Sequence, residues 1–298
     1  MATVNMGINY ETQVYFDLET NSIVKTIPYK VWDLAFQTGK DGRHVFLNGA
    51  RNMFVYNTHE TDPLKVDGSY QSAIKDTSYL FDSPSGLPDS TAIGEWYTAG
   101  NVTKNEVYII NIKSTKTFKK IVIKEVTENS YILEYGDLAD TKLKTITIPK
   151  DDQYNYTFFS FDNGGTIVSS EPPKDTWDIV FTYYLHVFYS LNTPYLVSGV
   201  LLNSYNTTAF LDSASGYDNV TYNLVSNKTF SNHRDAIGYN WKDVKINVEN
   251  NTAEYTTRPD KVYVIRDRKN QYWKLHFLGF YDDNGVKGSP SFEFEQIQ

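Results

Sequence analysis

Apolar and polar positions alternate along much of the chain with a period of two, the pattern of strands that bury one face. In QYWKLHFLGFYDDNG (271–285), Trp273, Leu275, Phe277 and Tyr281 fall on one face and Tyr272, Lys274 and His276 on the other. Asn284-Gly285 then supplies the positive φ angles of a tight turn, and SFEFEQI (291–297) alternates again as the return strand. KIVIKEV (120–126) and SYILEY (130–135), joined across Glu128-Asn129, repeat this design. Helical periodicity is weak, and residues 71–81 and 235–241 are the best short helical candidates. The pattern predicts an all-β protein with few short helices.

The elements recur in order. YKVWDLAF (29–36) has a near copy in KDTWDIVF (174–181); both contain W-D-x-x-F, and each follows an extended stretch, YFDLETNSIV (15–24) or FSFDNGGTIV (159–168). FLNGARNMFVYNT (46–58) parallels LVSGVLLNSYNT (196–207), and AIGEW (92–96) parallels AIGYNW (236–241). VYIINI (107–112) parallels VYVIRD (262–267), and FKKIVI (118–123) parallels YWKLHF (272–277). Such a series indicates a duplication, with an insertion in the second half between the A-I-G and V-Y motifs. The polar stretch PKDDQYNY (149–156) divides the chain into two β lobes, 1–150 and 151–298, and its lack of Gly/Ser-rich composition predicts that they pack together. Trp32 and Trp177 are expected to bury their rings in equivalent cores, while Asp33 and Asp178 accept backbone or turn hydrogen bonds.

A chain of 298 residues that is 40 % apolar and 15 % aromatic can fill such cores. The net charge of −8, without a Lys/Arg stripe, speaks against nucleic acid as a partner. No apolar run approaches the roughly 18 residues of a transmembrane helix, and MATVNMGINYETQ has no signal pattern. Zero cysteines exclude disulfides, thiolate metal sites and Cys nucleophiles. They leave open a cytosolic protein or an envelope protein whose lipidated Cys has been removed. The 24 Tyr and the sequons at Asn101, Asn155, Asn206, Asn219, Asn227 and Asn250 resemble an exported β-protein, the sequons being read as a product of Asn/Thr-rich composition. No G-x-S-x-G, G-x-x-x-x-G-K or H-E-x-x-H motif occurs, and no enzyme is expected. HETDP (59–63) and DDNGVKGSPSFE (282–293) are read as turns.

Four histidines, His44, His59, His233 and His276, are read as surface residues. His186 differs, lying in FTYYLHVFYSLN (181–192) among Tyr183, Tyr184, Phe188 and Tyr189. Aromatic walls around one imidazole suit haem, a flat apolar macrocycle whose iron needs an axial ligand. The alternative is that His186 fills a core or interface position.

TWDIVF after FSFDNGGTIV, then DAIGYNW (235–241) and the closing segment from DKVYVIRD to FEFEQI (260–297), resemble the HmuY-like family of haem-binding outer-membrane lipoproteins of Gram-negative bacteria. The likeness is best over 156–297 and looser over 15–135. It implies a mostly β fold, a lipid anchor through a Cys outside the folded part, a cell-surface location, and presentation of haem from the surroundings or a haemoprotein to a TonB-dependent receptor for iron acquisition. On this likeness His186 is the candidate haem-iron ligand, with Tyr183 and Tyr184 beside it. Haem-binding members use two axial ligands, His or Met, from neighbouring β-fingers. Here GYDNVTYN (216–223) offers Tyr217 and Tyr222, and the first half offers Met53 and His44. The alternative is a non-catalytic surface interaction module that has lost haem binding, an adhesin or an accessory subunit of an outer-membrane complex.

Overall fold

The computed structural model describes residues 1–100, 102–188, 193–247, 249–250 and 252–298; Asn101 and Tyr189 lie outside them. The first half forms β1 (Ala2–Thr3), β2 (Thr12–Asp17), β3 (Ser22–Pro28), β4 (Leu34–Gln37), β5 (Val45–Leu47), β6 (Met53–Asn57), α1 (Gly68–Ser72), β7 (Val107–Ile112), β8 (Thr117–Val126), β9 (Ser130–Asp137) and β10 (Lys144–Pro149). The second half forms β11 (Tyr156–Ser160), β12 (Thr166–Val168), β13 (Ile179–Phe188), β14 (Thr193–Leu202), β15 (Thr208–Asp212), α2 (Tyr222–Val225), β16 (Lys242–Asn247), β17 (Thr252–Thr257), β18 (Val262–Arg266), β19 (Tyr272–Tyr281) and β20 (Lys287–Ile297). Among the described residues strand accounts for 45 % and helix, short 3-10 turns included, for 10 %, so the fold is all-β as the alternation predicts.

Two five-stranded sheets, β10-β9-β8-β7-β6 and β1-β20-β19-β18-β15, carry the V-Y strands β7 and β18 next to one edge. Both V-Y strands are buried on two faces. Tyr108, Ile110 and Ile112 enter one cluster while Val107 and Ile109 enter another. Tyr263 and Ile265 are divided in the same way from Val262 and Val264. Trp96 and Trp241, from the A-I-G motifs, are both fully buried. Each follows a glycine at positive φ, Gly94 (+63°) or Gly238 (+66°), a backbone angle that favours Gly. The insertion of the second half contains the two-stranded β16–β17.

Two four-stranded sheets, β12-β11-β4-β5 and β14-β13-β2-β3, hold the W-D strands β4 and β13. Their pairing crosses between the halves. β11 pairs antiparallel with β4, Phe159 opposite Leu34, and β2 pairs with β13, Phe16 opposite Ile179. One compact unit therefore comprises Lys30–Glu171 with Tyr184–Leu196, and the other Met1–Tyr29, Pro172–Tyr183 and Val197–Gln298. The boundary read from sequence, 1–150 and 151–298, follows the repeats; the units of packing are interleaved across it, because each W-D strand takes its ladder partner from the opposite half.

The two aspartates of the motif are fully buried and serve the same purpose. Asp33 donates its N–H to Phe159 O at 2.8 Å and accepts from Phe161 N at 2.7 Å, Ser160 Oγ at 3.2 Å and Arg51 Nη1 at 2.5 Å. Asp178 donates to Phe16 O at 2.9 Å and accepts from Leu18 N at 2.9 Å and Arg268 Nη1 at 2.6 Å. Burial pushes both carboxyls up, and the facing arginine and backbone N–H oppose it. Trp177 is fully buried against Tyr15, but Trp32 is only partly buried, edge-on to Phe158 at 5.0 Å, so the two rings are less alike in environment than expected.

Four local expectations change. Asn48 and Asn203 are equivalent, each donating Nδ2 to its tryptophan carbonyl, so LNGA (47–50) aligns with LNSY (202–205) in a register different from that read in the sequence. In β19 the ladder shifts around Gly279, which carries Phe280 inward and leaves Tyr281 exposed; a bulge reverses alternation beyond it. In the turn after β19 only Gly285 has positive φ, while Asp282 Oδ1 accepts the N–H groups of Asn284 and Val286. Residues 235–241 are turns and bridge rather than helix because Gly238 N–H and C=O pair with Val200; α1 covers the start of the other candidate.

Candidate functional site

The strand β13 carries the three candidate residues, and its alternation separates them. Tyr184, His186 and Phe188 project to one face, Tyr183, Leu185 and Val187 to the other. Tyr183 packs edge-to-face on Tyr10 at 5.2 Å and on Tyr29 at 5.8 Å. It is a packing residue, and Tyr183 does not share a face with His186. Tyr184 is buried.

Beyond Tyr183 the hairpin is anchored through Leu185 and Leu196, which join Phe54, Val66, Val107 and Ile109 in one cluster. A side chain at Gly49 would lie 3.2 Å from Leu185 N, so the hairpin backbone sits tightly there. With that anchor in place, the end of the hairpin presents a partly buried His186 ring 5.2 Å from Phe188, edge to face. Phe188 is 38 % exposed and lies 6.0 Å from Tyr195, which is 53 % exposed. Tyr195 was not singled out in the sequence, although it stands on the return strand in TPYLVSGVLL, where alternation next to Leu196 marks it as outward.

Other residues that could serve as ligands make the following contacts. Met53 and Met6 are core residues with sulfur inside the apolar clusters. His44 Nδ1 contacts Gln37 Oε1 at 3.0 Å, His59 contacts Glu106 at 2.9 Å, and His276 contacts Glu293 at 3.2 Å while stacked on Tyr217 at 4.0 Å. Burial first, then Glu293 and Glu295, pushes the Tyr217 hydroxyl up, which disfavours a phenolate. Tyr222 packs edge-on to Tyr272. Among the described residues no group of three or more His, Cys, Asp or Glu side chains is placed to hold a metal ion. The described part of the hairpin sets one imidazole beside the aromatic pair Phe188 and Tyr195.

A separate cleft of about 350 Å³ opens between Tyr154, Tyr156, Phe158, Ile167 and Glu171. Glu171 there accepts from Asn155 N at 2.6 Å and Tyr156 N at 3.0 Å, and among the described residues its lining holds no His, Lys or Arg. It offers no imidazole and no cation for a porphyrin carboxylate. No helix of the described residues is long and apolar enough to cross a membrane.

Among known proteins, the family model described as HmuY protein matches twice, over residues 9–135 and 152–294. No curated protein matches the chain. Similar solved structures include a protein of Bacteroides fragilis described as a lipoprotein, at 13 % identity over 56 % of this chain and 88 % of that one, with a TM-score of 0.26. Apo PinO from Porphyromonas gingivitis is 16 % identical over 60 % of this chain and 95 % of that one, with a TM-score of 0.25. The apo HmuY analogue of Tannerella forsythia is 10 % identical over 100 % and 94 % of the two chains, with a TM-score of 0.26. With the family model matched once in each half, and the W-D, A-I-G and V-Y motifs repeated inside both matches, the chain belongs to the HmuY family as a tandem member.

Proposed function

We propose that this chain is a non-enzymatic binding protein of a Gram-negative cell surface, lipid-anchored at the outer membrane, and that the end of the β13–β14 hairpin contacts its ligand, haem. The observation that carries the reading is one strand face bearing Tyr184, His186 and Phe188, continued by the exposed Tyr195 ring. Haem supplies an iron that needs an axial donor and a broad apolar face; His186 would hold the iron, and Phe188 and Tyr195 would flank the ring. Transfer to a TonB-dependent receptor for iron acquisition belongs to the same reading and rests on family membership. Titration of the full chain with haem, followed in the Soret region, tests it. A shift at micromolar haem supports haem as the ligand.

Absence of a shift leaves the second reading, a surface interaction module for a protein partner, as an adhesin or accessory subunit. The exposed Phe188–Tyr195 pair favours it, because paired aromatics of this kind anchor protein interfaces.

A further inference from the structure

The unit that contains the C-terminus is not closed by the residues around it in sequence. β13 and β18–β20 leave two ladder positions, and both are filled from the far end of the chain: β2 lies beside β13, and β1 lies beside β20 with Thr3 opposite Ser291. Val4 N donates to Pro290 O at 3.0 Å and Met6 N to Gly288 O at 2.9 Å. Val4, Met6, Tyr10, Val14, Phe16 and Leu18 of this arm enter the same buried cluster as Trp241, Leu275 and Phe277.

In the unit that begins at Lys30, the corresponding places are taken by residues that simply come next in sequence, β10 beside β9 and β11 beside β4. The contacts correspond one for one. Phe159 O and Phe161 N grip Asp33 as Phe16 O and Leu18 N grip Asp178. Phe158 lies on Trp32 as Tyr15 lies on Trp177. The following half therefore lends its arm to the half before it. The second half receives the first arm instead, β2 beside β13 and β1 beside β20. Nothing in the main-chain ladder or in the Asp socket depends on which molecule supplies that arm.

We propose that residues 1–29 are an exchangeable donor arm, and that the β13/β20 socket of one chain accepts the arm of a second copy of this chain. Exchange of an identical element between copies needs no new interface, since every contact is already made within the monomer. The arm is tethered to its own chain, so closure within one chain dominates in dilute solution and exchange appears when chains fold together at high concentration.

The chain has no cysteine, so Thr3→Cys with Ser291→Cys places its two thiols on paired positions. Folded and oxidised at micromolar concentration, the full-length variant is expected to cross-link within the 34.2 kDa chain. Unfolded, refolded at millimolar concentration and then oxidised, it is expected to give reductant-sensitive dimers and higher multiples on a denaturing gel. Cross-linked monomer alone at both concentrations overturns exchange between chains, and no cross-link at either overturns docking of the arm itself. If the variant does not fold, the unmodified chain refolded at both concentrations and sized by light scattering decides the matter. A dimer formed only at high concentration supports the proposal, and monomer at both overturns it.

Discussion

Asn48 and Asn203 hold the same place in the two units, each donating Nδ2 to the carbonyl of its W-D tryptophan, Trp32 O at 2.8 Å and Trp177 O at 2.7 Å. Each also donates its own N–H to the neighbouring aspartate carbonyl, Asp33 O at 2.9 Å or Asp178 O at 2.8 Å. Both side chains are 1 % exposed, so alanine leaves a buried carbonyl without its side-chain donor. Asn203→Ala is expected to lower the unfolding free energy by about 1–3 kcal/mol, read as a lower urea midpoint at unchanged slope.

The tryptophans separate the two copies. Trp177→Ala removes a fully buried ring and is expected to cost about 3–5 kcal/mol, while Trp32→Ala, at a partly exposed position, should cost clearly less. Chemical denaturation of the two variants side by side measures the difference. Equal losses would mean that Trp32 is as enclosed as Trp177.

Arg268 spans two buried carboxylates, Asp178 at 2.6 Å and Asp17 at 3.1 Å, with all three side chains nearly inaccessible. Removing it strands buried charge, and Arg268→Ala is expected to lose about 3–5 kcal/mol. The adjacent Lys269 pairs with Glu19 in the open, and Lys269→Ala should stay within about 0.5 kcal/mol of the parent. Thermal melts of both variants test the contrast.

Lys242 is buried with Nζ donating to Ser198 O at 2.6 Å and lying 4.1 Å over the Trp241 ring. Burial pushes its ammonium down to about 7. Its unfolded value is about 10.4, so above that pH the lysine imposes no charge penalty on folding. As pH falls from about 10 to about 7, the unfolded chain binds a proton that the folded chain resists, and stability drops to a floor below about 7. Lys242→Met is expected to flatten this slope, measured as the variant-minus-parent unfolding free energy at neutral and alkaline pH.

If haem binds, His186→Ala should abolish the Soret shift and His276→Ala should not, because His276 is already held between Tyr217 and Glu293. With one axial nitrogen, affinity is expected to fall below that of relatives with two ligands. A shift that survives His186→Ala moves the iron ligand to another residue.

The class of fold and the inward face of β19 up to Phe277 were legible because alternation is a local property of the sequence. The repeats were legible for the same reason, down to the buried Trp96 and Trp241. The partner of each strand was not. YFDLETNSIV and FSFDNGGTIV carry strand character, yet the choice between the W-D strand next in sequence and the one in the other half is made by tertiary pairing. The arginines were hidden likewise, since Arg51 follows β5 and Arg268 lies between β18 and β19, unrelated positions that converge on equivalent aspartates. At the candidate site His186 was singled out by its aromatic surroundings, whereas the opposite direction of Tyr183 follows from counting alternate residues along β13.

The pairing of β1 with β20 also decides how the protein carries mechanical load. Residues 2 and 3 lie beside Phe292 and Ser291, so a pull on the amino terminus is borne first by the strand that ends the chain. Tension then passes to the β2–β13 ladder and only afterwards, through Tyr29, to the residues that begin the other unit. The unit that combines residues 1–29 with most of the second half is therefore the first to be strained, and the residues from Lys30 onward take load only once the arm has been drawn out.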